Sequence, residues 1–447
     1  MVSRRRLLQV GAGTLAAAAG CTDTTDNPPA DAGPSDQPSP TDAGDGPTTT
    51  PDGDLDAWEP AWTLSFDHDV LGVDAGENHL FLTVSANDGP SAVVAVDPAE
   101  QSIVWRTESE GEAVAASHAA ARPIARGHWG ATVTARSVYT VAGPAEEREW
   151  TALHALDRAT GDRRWSVRRD RRFSVAGVTD GLLVATGQEF VDRGTPAHPT
   201  PTPERTSTVV YGIDAADGSV RWTREFVAVG APDVALSSDG IFVATGDRLV
   251  GLDHQGSTTF TLDHGPATRV EAVPGRVYYL SGDPYEGGPQ TLHGVSPDGT
   301  RAWAHDLAVH ELLLDGDRLY AGGDVVVAVD PDGTVAWQDG DYGEWLLLDP
   351  DGDTLYTRSG VQADAATAYD TAGEARWTFD PPANNAWPEA ATADALMVDT
   401  VSGPTYLVDA EGEATATLER ETIFDALGLD GTMFVADGRN QLLALDP

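Results

Sequence analysis

Residues 156–165 read Leu156-Asp157-Arg158-Ala159-Thr160-Gly161-Asp162-Arg163-Arg164-Trp165, and this stretch decides the fold because its pattern recurs along the chain. An apolar strand ends in Asp, a turn containing Gly follows, and Trp arrives four residues after the Gly. The pattern returns from Asp97 to Trp105, Asp214 to Trp222, Asp253 to Phe260, Ser296 to Trp303, Asp330 to Trp337 and Asp370 to Trp377, with a degraded copy from Asp409 to Ala416. Gly161, Gly218, Gly256, Gly299, Gly333, Gly373 and Gly412 each stand four before the aromatic slot. Only the turn length drifts, and the second strand stays in phase.

Each copy reads as a β-hairpin, with alternating Val, Ile, Leu and Tyr, an Asp that opens the turn through its side chain, and a Gly at a left-handed position. Upstream of each lies a second strand pair around a short turn such as Asp180-Gly181, Asp239-Gly240 or Asp430-Gly431. Four short strands per unit, repeating about every 44 residues from Asp97 to Asp446, is the period of propeller blades rather than of helical repeats. The chain stops at Asp446-Pro447 with no second strand, and the missing strand stands at the other end, beginning at Trp62. Such a split closes a ring and leaves no sheet edge between its ends. The expectation is an all-β propeller over 58–447, its N- and C-terminal strands sharing one blade, with nine units counted.

The repeated hydrophobic-x-hydrophobic-Asp-x-x-Thr-Gly-x-x-x-Trp, clearest in Leu156 to Trp165, resembles the pyrroloquinoline quinone (PQQ)-like repeat propellers. These include quinoprotein dehydrogenases and a non-catalytic outer-membrane assembly lipoprotein of bacteria. The resemblance implies seven or eight blades, which favours eight over the count of nine. It also implies that Trp62, Trp105, Trp165, Trp222, Trp303, Trp337 and Trp377 pack between neighbouring blades. A large indole filling the gap between twisted sheets is the bland role physics expects there.

The first residues concern address. Arg4 and Arg5 within Ser3-Arg4-Arg5-Arg6-Leu7-Leu8 resemble a twin-arginine export signal, and Ala18-Ala19-Gly20-Cys21 resembles a lipoprotein cleavage site. The reading is a signal peptide over 1–20, then over 21–57 a lipidated Cys21 and a disordered acidic Pro/Thr linker. In polyproline form, at about 3.1 Å per residue, that linker reaches roughly 110 Å. Cys21 is the only cysteine, so an intrachain disulfide or a thiolate zinc cluster is excluded. These features place the protein on the outer face of the cytoplasmic membrane, held by lipid alone and monomeric.

Seventy-one acids face 28 bases, a net charge of −43, and no base is lysine. At molar salt the Debye length falls to about 3 Å and self-repulsion fades. The composition resembles proteins of extremely halophilic archaea. Nucleic acid is excluded as a partner, since phosphate binding needs a basic groove.

A propeller fold does not specify a chemistry, so function is sought in the loops. Short turns all fall on one face, whereas the insertions at 110–132, 144–150, 188–207, 283–290 and 360–366 fall on the other. That elaborated rim is the expected binding surface. Its candidates are His118, His128 and Trp129 in the longest inter-blade segment, Arg193 and His198 in the Pro/Thr-rich insertion, and Tyr285 and Glu286 in a glycine-rich loop. Asp349 to Asp353 lacks the alternating ligands of a calcium loop and reads as a turn. No catalytic residue, metal site or cofactor is expected. The favoured function is a non-catalytic scaffold for an envelope protein or small ligand. The alternative is a PQQ-dependent oxidoreductase holding PQQ with calcium, although the adjacent cysteines of many such enzymes are missing.

Overall fold

The computed structural model describes residues 46–51, 55–85, 91–108, 131–143, 150–188, 205–229, 232–263, 265–282, 290–360, 364–382, 385–401, 403–418 and 423–447. Every regular element among them is a β-strand. Seven sheets have four strands, and a nine-stranded sheet holds two more four-stranded groups joined by the single pairing of Gly323 with Gly343. Nine blades therefore surround the axis among the described residues, the number of units counted in the sequence and one more than the resemblance favours. In order they span 69–108, 132–169, 172–229, 233–262, 267–307, 309–339, 343–379 and 386–418, and blade 9 combines 425–445 with 62–65. Within each blade the strands are called a to d, from the axis outward.

The ring closes as the split repeat requires. Trp62–Ser65 runs antiparallel to Gln441–Leu445, with Trp62 opposite Ala444 and Ser65 opposite Gln441. Strand a of blade 1, Asp69–Ala75, then packs on strand a of blade 9, Asp425–Leu429, and Val73 N donates to Asp425 Oδ2 at 3.0 Å in a buried contact.

Local chemistry explains the hairpins. Asp97 Oδ1 accepts from the backbone N–H of Ala99 and Glu100, at 2.9 and 3.0 Å, and so folds the c–d turn with its own side chain. The core lies between blades: Val70, Leu80 and Leu82 of blade 1 share one cluster with Phe434, Leu442 and Ala444 of blade 9. Trp105 and Trp377 are 8% and 2% exposed, and each reaches forward to the next blade. Trp105 Nε1 donates to Arg158 O at 3.0 Å, Trp165 to Ala215 O at 3.1 Å and Trp377 to Ala410 O at 2.9 Å. Each acceptor sits one residue past the next blade's anchor Asp. Trp337 departs from this, because the matching carbonyl, Thr371 O, accepts from Arg318 Nη1 at 2.9 Å, and the buried Trp337 Nε1 has no partner.

The same contact fixes the turn glycines. Gly161 has φ +75°, and a Cβ there would also lie 2.6 Å from the Trp105 ring. A unit's Gly thus answers to the Trp of the preceding unit, not to its own.

One expectation is corrected. The span 21–57 does not read as disordered throughout: Thr48–Thr49 pairs in parallel with Ala375–Phe379, strand d of blade 7, and Ala57 bridges Thr417 in strand d of blade 8. Poverty in apolar side chains did not prevent this, because an open strand edge offers backbone groups to any sequence. Thr378 N donates to Pro47 O and Asp380 N to Thr49 O, each at 2.9 Å.

Candidate binding face

Strand pairing sorts the connections by face. The a–b and c–d turns lie at one end of each blade, and the b–c and d–a connections, which carry every insertion noted in the sequence, lie at the other. His118, His128, Trp129, Arg193, His198, Tyr285 and Glu286 fall outside the described residues, as do Arg4, Arg5 and Cys21. At that same long-loop end the structure brings together a different group of residues, on blades 6, 7 and 8.

The group forms around an irregularity in strand a of blade 7, Gly343–Leu348. Its register with Thr354–Ser359 shifts between Glu344 and Leu347, and Trp345 is held at φ +62°, unusual for a bulky side chain. The freed N–H groups are taken by the neighbouring blade: Glu311 Oε2 of blade 6 accepts from Trp345 N at 2.7 Å and Leu346 N at 3.4 Å. The device recurs where Asp233 Oδ2 of blade 4 accepts from Val270 N of blade 5 at 3.1 Å.

Beneath this bulge lies an ion pair. Arg358 Nη1 donates to Glu344 Oε1 at 2.8 Å, with the two side chains only 8% and 6% exposed. His310 Nε2 meets Glu344 Oε2 at 3.2 Å from a side chain 44% exposed. Arg358 Nη2 donates to Asn385 Oδ1 at 2.5 Å, and Asn385, at φ +67°, is also left-handed. The guanidinium lies 3.7 Å over the Trp387 ring, and Trp345 meets Trp387 edge-on at 4.8 Å and 76°. Both indoles are half-buried.

Electrostatics follow the geometry. Burial pushes the Glu344 carboxyl up, but hydrogen bonds from His310 and Tyr342 and the Arg358 charge outweigh it, and the net shift is downward. Burial, and then the hydrogen bond to Glu344, push the Tyr342 phenol up. Burial lowers Arg358 despite its partner. Breaking such a buried pair by removing one partner costs about 3–5 kcal/mol, so the pair holds the tryptophans rigidly. Fixed, half-open Trp with Tyr and Arg beside it is the composition that carries binding energy at protein interfaces. Left-handed, strained residues concentrate at such sites.

Trp345 and Trp387 were not singled out in the sequence, although a signal was present: neither stands four after a turn Gly. Among the described residues no group of His, Cys, Asp and Glu has the arrangement for a metal ion. Asp349 to Asp353 forms a turn, with Asp349 Oδ1 accepting from Asp353 N at 2.9 Å. No helix among the described residues is long and apolar enough to cross a membrane.

The family model described as outer membrane protein assembly factor BamB matches residues 49–226, 153–284 and 205–339. No curated protein matches the sequence. Among solved structures, the C-terminal WD40 domain of Sif2 is similar at a TM-score of 0.50 and 11% identity, over 88% of this chain and 99% of that one. BamB from Moraxella catarrhalis gives 0.47 and 13%, over 88% and 98%. Quinohemoprotein alcohol dehydrogenase from Comamonas testosteroni gives 0.48 and 13%, over 86% and 76%. The likeness to the Sif2 domain is one of fold.

Proposed function

The chain belongs to the family described as outer membrane protein assembly factor BamB, and from that premise we propose that it is a non-catalytic binding or assembly scaffold of the cell envelope. The proposal includes export through the Arg4-Arg5 signal and a lipid anchor on Cys21 at the outer face of the cytoplasmic membrane. It places a partner protein on the long-loop face, where the loops bearing His118, His128, Trp129, Arg193, His198, Tyr285 and Glu286 surround the Trp345–Trp387 patch. The observation that carries the reading is that patch: two half-exposed indoles pinned edge-on by a buried Arg358–Glu344 pair. A rigid aromatic anchor loses little entropy when covered, so it suits a docking surface.

The test is recovery of partners from envelope extracts at molar salt, comparing the parent chain with Trp345→Ala/Trp387→Ala and with a deletion of 188–207. Loss of the same partner from the double variant, with its thermal melt retained, supports the reading. Equal recovery from all three forms sinks it. So does tight, saturable uptake of PQQ with calcium together with quinone absorbance, which would favour an oxidoreductase.

A further inference from the structure

We propose that residues 46–58 form a strap that locks the ring, supplying two inter-blade contacts that the repeat itself lacks. The first missing contact is at blade 8. Elsewhere the slot aromatic of strand d faces a small residue on strand c: Ala95 opposite Trp105, Gly212 opposite Trp222, Ala444 opposite Trp62. In blade 8 the pair is Leu407 opposite Ala416. Leu407 occupies the space that Gly or Ala leaves free elsewhere, so the joint to blade 9 lacks its indole.

Trp58 fills that joint from outside the repeat. Its N–H donates to Thr417 O at 2.6 Å, and Thr417 N donates to Asp56 O at 3.0 Å, so the strap lies along strand d one residue from the empty slot. The ring is 6% exposed. It shares a cluster with Met397 and Leu407 of blade 8 and Leu443 and Leu445 of blade 9, with Ala416 against it. Trp58 Nε1 donates to Asp446 O at 3.0 Å, the carbonyl of blade 9's own anchor. Trp105, Trp165 and Trp377 make the corresponding bond from inside their repeats.

The second contact is at the joint of blades 7 and 8. Two residues past the slot, Thr107 Oγ1 donates to Gly161 O at 2.6 Å and His305 Nε2 meets Gly333 O at 2.7 Å, each in the next blade's turn. Blade 7 has Phe379 at that place, which has no donor. Thr49, paired with Phe379, supplies the hydroxyl, and its Oγ1 donates to Gly412 O at 2.5 Å. Two substitutions that break the repeat are thus each made good by one residue of the same short segment. A strap that merely lay on the surface would have no reason to meet both.

The experiment is hydrogen exchange and thermal melting of the full chain at molar salt. Trp58→Ala is expected to lower the melting temperature by several degrees and to raise exchange at least tenfold in 414–418 and 441–445, with blades 3 to 5 unchanged. Thr49→Val is expected to act more weakly and only in 375–379 and 405–418. Adding Leu407→Ala/Ala416→Trp to the Trp58→Ala chain rebuilds the slot within the repeat and is expected to restore protection. Parental exchange in 414–418 and 441–445 of Trp58→Ala overturns the proposal, as does a loss spread evenly over all blades. If the rebuilt variant does not fold, the Trp58→Ala exchange map decides alone.

Discussion

At the scale of single residues, the repeat is held by a contact between non-identical members of neighbouring units. Gly256 and Gly181 both adopt positive φ, +77° and +71°, yet a Cβ at Gly256 would lie 2.5 Å from the Trp222 ring whereas one at Gly181 meets nothing within 4 Å. Gly181→Ala is therefore expected to cost about 1–2 kcal/mol, the backbone penalty alone. Gly256→Ala adds overpacking of about 1–3 kcal/mol, a difference that chemical denaturation of the two variants will resolve. The φ requirement was legible in the turn sequence, but the ring overhead was not, because its residue lies a strand pair and a loop away. Glu344 makes a second prediction. Its carboxyl sits below its ordinary value of 4.5, so its contribution to stability is present above about pH 4.5. That contribution is lost as pH falls through the lower folded value. Glu344→Gln is expected to reduce stability at pH 7 by about 3 kcal/mol, leaving Arg358 without its counter-charge. It is also expected to flatten the decline of melting temperature between pH 4.5 and 3, and an acid limb as steep as the parent's would refute the assignment.

At the scale of elements, strands and turns were readable because period-two apolar patterning and Asp–Gly turns act locally. Asp157 and Gly161 mark the c–d turn of blade 2 wherever the rest of the chain goes. The candidate site was less readable, since its shape depends on a bulge at Glu344 whose N–H groups are satisfied by Glu311 of another blade. No local rule announces a carboxylate about thirty residues upstream. The strap was hidden for a related reason: the composition of 46–57 says that it cannot fold alone, not that an open edge will accept it. The closing strand gives the element-scale prediction. Leu64→Pro places a residue without an N–H opposite Leu442 and is expected to unpair Gln441–Leu445. The bared edge is then expected to drive self-association, seen as a concentration-dependent rise in light scattering.

At the scale of the whole molecule, circular closure was legible because the last unit lacks the strand that the first residues of the domain provide. The blade number was legible as a count of anchors, and family precedent rather than the residues argued for eight. Net charge acts at this scale too. With −43 on the chain and no lysine, repulsion among surface carboxylates opposes the compact state until salt screens it. The melting temperature is expected to climb steeply between 0.1 and 3 M KCl, roughly as the Debye length shrinks from about 10 Å toward 3 Å or less. Cooperative β-structure that persists unchanged after dialysis into low salt would contradict this.

The parallel run of Thr48–Thr49 beside Ala375–Phe379 also has a mechanical meaning. Gly46 sits against Ala375, the end of that outer strand next to the c–d turn, so tension arriving through the preceding residues pulls along the strand axis. The bonds made by Pro47 and Thr49 then bear the load in shear, together, instead of peeling apart in sequence. A particle towed from that point trails with its plain underside toward the leash and carries its long loops on the far side, clear of whatever holds it.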